Sequence, residues 1–398
     1  MKYSRPKLLF VVTEDWYFVS HRLALAIAAR SAGYDVAVAT RVSEHGATIH
    51  DAGIDLHPVN FNRGGMRPLE EAARLASLVS LYRRVAPDIV HHVALKPVIY
   101  GALAARMTRV PAVVNALGGL GYVFSSDSHR ANIIRLAVHP VMRLALGLRT
   151  SRLVLQNSGD RDRMLSAGLV DSKRVRLIRG AGVDPSQYIQ VNPETQPPLA
   201  ILPARLLRDK GVGEFIDAIR LLRNRGIRAR FALVGRPDPM NPASFTNEEI
   251  DRWTSEGIVE NWGWRDDMAN VYAQAQIVCL PSYHEGLPKS LLEAAASGCA
   301  IIASDIPGCR EIIREGETGL LTPPKDSGAL ANGLQVLIED ARLRQRLGLS
   351  ARNLVSNDFS SSKVAEETLQ VYAELLGRPI SAPYGTKADR GVNDGERS

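Results

Sequence analysis

The sequence predicts an α/β protein of two domains, each a parallel sheet covered by helices, with the two sheets facing each other across a cleft. Three observations lead there. Short apolar runs alternate with amphipathic helical stretches along both halves, the pattern of parallel strands joined by crossover helices. At 398 residues the chain exceeds one ordinary domain, and each half is long enough to bury its own core. The Pro-rich stretch Pro193–Pro198 interrupts the alternation and reads as a linker. The domains expected are residues 1–190 and 191–360. A helix at 361–377 is expected to pack back on the first domain, and a Pro/Gly/Asp/Lys-rich tail at 378–398 is expected to be disordered.

In the first half, Lys7–Thr13 reads as a buried strand and Glu14–His21 as the loop after it. Leu23, Ala24, Ile27 and Ala28 have helical spacing, so Ser20–Ala32 is a helix with Ser20 as its cap and Gly33 as its stop. Asp35–Thr40 and Ile54–Val59 are strands, and Pro68–Val85 is an amphipathic helix with Arg74, Arg83 and Arg84 on its polar side. Pro87–His92 and Ala112–Asn115 are strands flanking a helix at Pro97–Met107. No Gly-x-Gly-x-x-Gly follows the first strand, which argues against a dinucleotide cofactor by that route. After the glycine-rich loop Gly118–Phe124 comes Ser128–Leu148, apolar but punctuated by Arg130, Arg135 and Arg143, with Arg149 just beyond. It reads either as a core helix or as a basic amphipathic segment at a membrane interface, with Pro140 expected to kink or split it. Strand, helix and strand follow at Leu153–Gln156, Gly159–Ala167 and Val175–Ile178.

The second half repeats the pattern. Leu199–Ala204 is a strand, Val212–Arg225 a helix, and Phe231–Val234 a strand ending at Gly235. Thr246 and Glu249 have the spacing of a capping box. Ile277–Leu280 is a strand, and Asp326–Glu339, Arg342–Asn353 and Ser362–Leu376 form a helical end.

Composition narrows the class. Hydrophobic residues make up 45% and charged residues 23%, the balance of a soluble globular protein. The three cysteines lie in or beside apolar runs without metal-ligand spacing, which fits reduced thiols in the cytosol. The N-terminal apolar run is too short for a signal peptide, and no apolar stretch is long enough to span a bilayer. Residues 1–190 carry 25 Lys and Arg against 14 Asp and Glu, whereas residues 191–398 carry 24 against 28. A basic half beside an acidic one points to an anionic partner of the first half, or to a surface tuned for solubility. Aromatic residues are only 6% and do not interleave with the basic ones, so no stacking surface for nucleic acid is evident.

The chemistry concentrates in Pro281–Gly298. Strand, loop and helix follow one another there, with Glu285 in the loop, Pro288 where a helix can begin and Glu293 in the helix. Free N–H groups at a helix start attract phosphate, and carboxylates beside such a site suit hydroxyls better than anions. Sugars and riboses carry those hydroxyls. Arg205 and Lys210, just after the first strand of the second half, can neutralise a diphosphate. Gly235 ends a strand where a nucleotide could approach closely.

The spacing of Glu285 and Glu293 within PSYHEGLPKSLLEAAASG resembles the paired-glutamate motif of retaining glycosyltransferases of family 4. The resemblance runs from Lys7 to about Leu376. It is carried by TEDWYFVSHRLALA, RVAPDIVHHVALKP, GGLGYVF, QNSGDRD, RGAGVD, LPARLLRDKG and the glutamate block, in family order. It is nearest to enzymes that build capsule, O-antigen and lipid-linked glycan precursors in bacteria. The family implies the GT-B fold, with the acceptor mainly on the first domain and the nucleotide sugar mainly on the second.

Carried over by position, Glu285 would contact the donor sugar and the Gly286, Leu287, Pro288 and Lys289 backbone would approach its phosphates. Glu293 would hold the ribose, Arg205 and Lys210 would neutralise the diphosphate, and Trp264, Arg265 and Asp266, in the loop after Gly263, would lie near the base. Tyr17, Ser20, His21, Lys96, Gly119 and Gly121 fall on the acceptor side. The resemblance implies transfer from a nucleotide sugar, UDP-linked in the favoured reading, to a lipid-diphosphate-linked saccharide. It implies retention of configuration, no metal or other cofactor, and a cytoplasmic protein held peripherally at the anionic inner leaflet. Two departures stand out. The first loop lacks the family's Gly-Gly pair, and Gly118 stands where many members have a histidine, a role open to His21 or His91. A sugar-nucleotide epimerase and a nucleic-acid or membrane-surface binder are the competing classes.

Overall fold

A computed structural model describes residues 5–61, 68–120, 129–192 and 194–378. The expected tail from residue 379 onward, Pro193 of the linker and Gly121 lie outside the described residues. The first half forms a seven-stranded sheet: β1 (Lys7–Glu14), β2 (Asp35–Arg41), β3 (Asp55–Pro58), β4 (Ile89–Val93), β5 (Ala112–Leu117), β6 (Ser151–Leu155) and β7 (Val175–Leu177). The second half forms a six-stranded one: β8 (Leu199–Pro203), β9 (Arg230–Val234), β10 (Glu260–Gly263), β11 (Ile277–Leu280), β12 (Ala300–Ser304) and β13 (Leu320–Thr322). The strand orders are β3-β2-β1-β4-β5-β6-β7 and β10-β9-β8-β11-β12-β13, and the neighbouring strands of both sheets pair in parallel.

Alternation along each strand sends side chains to opposite faces, and both faces are covered. In β1, Leu8, Phe10 and Val12 pack with the helix Leu23–Ser31 and the C-terminal helix, while Leu9 and Val11 pack against Leu78, Tyr82 and Ala104. In β8, Ile201 and Leu202 likewise enter different cores. Each fully buried Leu, Ile or Phe contributes about 1.5–3 kcal/mol relative to exposure. Both sheets reverse their strand order beside their first strand, at β1/β4 and at β8/β11. Crevices outside the carboxyl ends of strands at such points are where open α/β sheets bind ligands.

Several elements differ from the sequence expectation. Asp15–His21 is a helix rather than a loop, and a break at Arg22 separates it from Leu23–Ser31, so Ser20 lies inside a helix and caps nothing. Its residues Trp16, Tyr17, Phe18 and Val19 are weak helix formers, and tertiary contacts win: Phe18 is buried 5.7 Å from Phe10, ring to ring. Arg74 is buried rather than on the polar side, held by Glu70 and Glu71 on the same helix. Pro140 does not split its segment, which runs as one helix, His129–Leu146. Met142 and Leu146 of that helix are buried while Val141 and Leu144 are exposed. Pro288 stands as the cap of the helix Lys289–Ala296, one place before its first turn.

The C-terminal helix, Ser361–Leu376, leaves the second half and packs on the first. Val364, Leu369 and Tyr372 enter the core beside β1, the Tyr372 hydroxyl lies 2.5 Å from His91 Nδ1, and Glu374 pairs with Arg152 and Arg176. No helix among the described residues is long and apolar enough to cross a membrane.

Candidate active site

The carboxyl ends of the two sheets enclose a cleft of about 1260 Å³. From the second half, Arg205 follows β8, Lys210 closes a short turn before the helix Val212–Asn224, and the loop after β11 brings Glu285 through Lys289. Lys210 Nζ donates to Glu285 Oε1 at 2.6 Å, both side chains largely withdrawn from solvent. Arg205 pairs with Asp238 at 2.9 Å. Two cations thus line the cleft, each already matched by a carboxylate. An incoming diphosphate would meet preset positive charge and give it a second anionic partner.

From the first half come Tyr17 and His21, whose rings stack at 4.1 Å, and Gly118. Ser20 Oγ lies 2.6 Å from His21 Nδ1. Burial, with the charges of Lys289 and Arg22, pushes the His21 imidazole down to about 3. It is therefore neutral near pH 7 and can exchange hydrogen bonds without carrying charge. His91 lies elsewhere, fully buried on β4 under Tyr372, and does not line the cleft. Gly119, with φ +145°, sits against Gly286: a side chain there would come within 3.2 Å of the Gly286 nitrogen.

Of the expected residues, Ser20, Lys96, Gly119, Gly235, Arg265 and Glu293 are not among those that line the cleft. Glu293 is buried at the back of the loop, where it accepts from Tyr188 (3.0 Å) and Tyr272 (3.2 Å) and pairs with Lys289. Both of its oxygens are held by protein donors. Arg265 is half-buried and bound to Asp267 at 2.7 Å. Gly235 is required by its own neighbour, since a β-carbon there would lie 1.9 Å from the Ala204 carbonyl oxygen. Lys96, at the start of the helix Leu95–Thr108, is not among the cleft residues. Gly121 lies outside the described residues.

Other residues line the cleft that the sequence reading passed over. Trp16 stands beside Tyr17, and Arg41 at the end of β2 forms a rim with Ser43, Glu44 and His45 after it. Buried Asp15 fixes that rim, accepting from the Ser43 N–H at 2.6 Å and the His45 N–H at 3.0 Å. Trp264 and Asp266, both expected near the base, also line the cleft: Trp264 is half exposed, with Arg236 5.0 Å over its ring and its indole N–H bound to Asp266. The ends of β2 and β9 could have been flagged, since the loops there flank the switch points. Among the described residues no group of three or more His, Cys, Asp or Glu could hold a metal ion.

The chain matches two family models. Residues 7–158 match the glycosyl transferase 4-like model and residues 197–340 match glycosyl transferases group 1, so together they span both sheets. The chain belongs to the group 1, family-4-like glycosyltransferases. A curated relative of this glycosyltransferase is the N,N'-diacetylbacillosaminyl-diphospho-undecaprenol α-1,3-N-acetylgalactosaminyltransferase of Campylobacter jejuni. It is 26% identical over 86% of this chain and 92% of its own length. Another is the UDP-Gal:α-D-GlcNAc-diphosphoundecaprenol α-1,3-galactosyltransferase of Escherichia coli, 25% identical over 77% of this chain and 81% of its own. Among solved structures, a glycosyltransferase from Rickettsia africae superposes with a TM-score of 0.74 at 18% identity, covering 94% of this chain and 99% of that one. An Anabaena protein, HepE, crystallised with UDP, gives 0.73 at 19% identity, over 92% of this chain and 100% of that one. These likenesses establish the GT-B architecture.

Proposed function

We propose that this glycosyltransferase moves a hexose or N-acetylhexosamine from a UDP-sugar to an undecaprenyl-diphosphate-linked saccharide, with retention of anomeric configuration. The observation that carries the proposal is the Lys210–Glu285 pair beside Arg205, at the switch point of the second sheet. Two relatives that act on undecaprenol-diphosphate saccharides support the acceptor class, and the galactosyltransferase's UDP-galactose supports the nucleotide.

In this reading the donor diphosphate lies on Arg205 and Lys210, and Glu285 faces the sugar. The bond from C1 of the sugar to the leaving phosphate oxygen breaks as the acceptor hydroxyl approaches on the same face. A bond from C1 to the acceptor oxygen forms, and the hydroxyl's proton passes to the departing diphosphate. Such a step needs stabilised charge and alignment more than a protein base. Neutral His21 stands on the acceptor wall, able to hydrogen-bond the saccharide. No metal is required where two cations meet the diphosphate. The acceptor's lipid tail brings the protein to the cytoplasmic membrane surface. Exposed Val141 and Leu144 flank Arg143 on the helix His129–Leu146, a face suited to anionic lipid.

The test is to supply UDP-glucose, UDP-galactose and their N-acetyl forms with an undecaprenyl-diphosphate saccharide in anionic or zwitterionic vesicles. UDP release that requires the acceptor, runs faster on anionic vesicles and yields an α-linked product is expected. A sugar-nucleotide isomer formed without acceptor would replace the reading with epimerisation, and a β-linked product would refute retention.

A further inference from the structure

The motif Gln156-Asn-Ser-Gly-Asp160 has no part in the donor chemistry above, yet it makes the closest polar contact between the two halves at the catalytic loop. Asn157 follows β6 and caps the helix Ser158–Ser166, its Oδ1 accepting from the Asp160 N–H at 2.7 Å. Its Nδ2 donates at 2.7 Å to the carbonyl oxygen of Gly286, the residue after Glu285, and at 3.0 Å to Asp160 Oδ2. Asn157 is wholly buried. Next to it, Ser158 donates from N–H (2.9 Å) and Oγ (3.0 Å) to Glu311 Oε1 of the second half, whose other oxygen pairs with Arg179.

The backbone fit explains why the contact is so close. A β-carbon on Gly286 would lie 1.7 Å from the Gly118 carbonyl oxygen, and one on Gly159 would lie 2.7 Å from Pro307. Main chain thus meets main chain across the cleft at Glu285, and only Asn157 supplies a side-chain donor to the Gly286 carbonyl among the described residues. A helix cap needs only a short acceptor, and serine or aspartate would serve. An amide that caps its own helix and also reaches the other half does a second job.

We propose that Asn157 is a positioning residue for glycosyl transfer, tying closure of the two halves to the placement of the Gly286 peptide and, through it, of Glu285. This rests on the proposed function. In the proposed reading the charge of the donor diphosphate is met by Arg205 and Lys210 of the second half, whose partners are Asp238 and Glu285 rather than Asn157, so charge recognition does not need the contact. Alignment of sugar and acceptor does.

The variant to make is Asn157→Ser in the full chain. It keeps a helix cap but is too short to reach Gly286, and Glu311→Gln serves as a second, milder loosening of the same seam. Turnover should fall about tenfold, as expected when a buried carbonyl loses its donor, while UDP affinity and the donor KM change less than about twofold. Amide exchange at residues 284–290 should quicken, and this readout holds even where no UDP-sugar reacts. Unchanged turnover with unchanged exchange would overturn the proposal, as would a loss carried wholly by the donor KM. If UDP does not bind the wild-type chain, the donor reading fails, and exchange at 284–290 alone decides the positioning role.

Discussion

Glu285 accepts from Lys210 at 2.6 Å and lines the cleft. Replacing it with glutamine keeps its size and hydrogen-bonding capacity but removes its charge. Glu285→Gln should therefore lower turnover at least about a hundredfold while leaving UDP affinity within about threefold, because the charge matters most when the C1–oxygen bond is breaking. Steady-state rates beside calorimetric UDP binding check this, and near wild-type turnover would strike Glu285 from the mechanism. The loop that carries this residue was legible in the sequence: the strand before it, the two glutamates and the glycine that ends the helix all use local signals. Glu293 was not. Its tyrosine partners stand 105 and 21 residues away, and no local pattern announces them.

At the scale of elements, β4 carries two adjacent buried histidines. Burial, with the charges of Arg22 and His92, holds His91 well below its ordinary value. Burial likewise lowers His92 to about 4, against a hydrogen bond donated to the Asn115 Oδ1 that raises it. Both are neutral in the fold, while the unfolded chain takes up their protons near pH 6.5. The folded protein thus keeps its full stability above about pH 6.5 and loses it as pH falls toward 4, by about 1.4 kcal/mol per pH unit for each histidine. Denaturant midpoints at pH 7.5, 6 and 5 should fall in that order, and a level profile between 7 and 5 would contradict the burial account. The alternation of strands and helices was readable because apolar periodicity is local. The helix Asp15–His21 was hidden because Trp16, Tyr17 and Phe18 favour it only once Phe10 and Ser43 are in place.

For the molecule as a whole, the C-terminal helix fastens the end of the chain to the first domain. Deleting residues 361–398 would strip Val364, Leu369 and Tyr372 from the core beside β1, a loss of more than about 5 kcal/mol, and leave His91 without its hydroxyl partner. Calorimetry of the truncated chain should show an early unfolding transition for the first half, and a melt identical to wild type would refute this coupling. The two-sheet architecture was readable from repeated alternation and the Pro-rich break. How the halves meet was not, because contacts such as Asn157 to Gly286 join residues 129 positions apart.

The claim at the centre is that the second half cradles a uridine diphosphate on Arg205 and Lys210. Thermal unfolding of the full chain with UDP, GDP and dTDP tests it most directly, since a ligand bound only by the folded state raises the melting temperature. We expect a rise with UDP that grows with its concentration, is weaker with GDP and dTDP, and is abolished in Arg205→Ala and Lys210→Ala. No rise with UDP, or one that survives both substitutions, would contradict it.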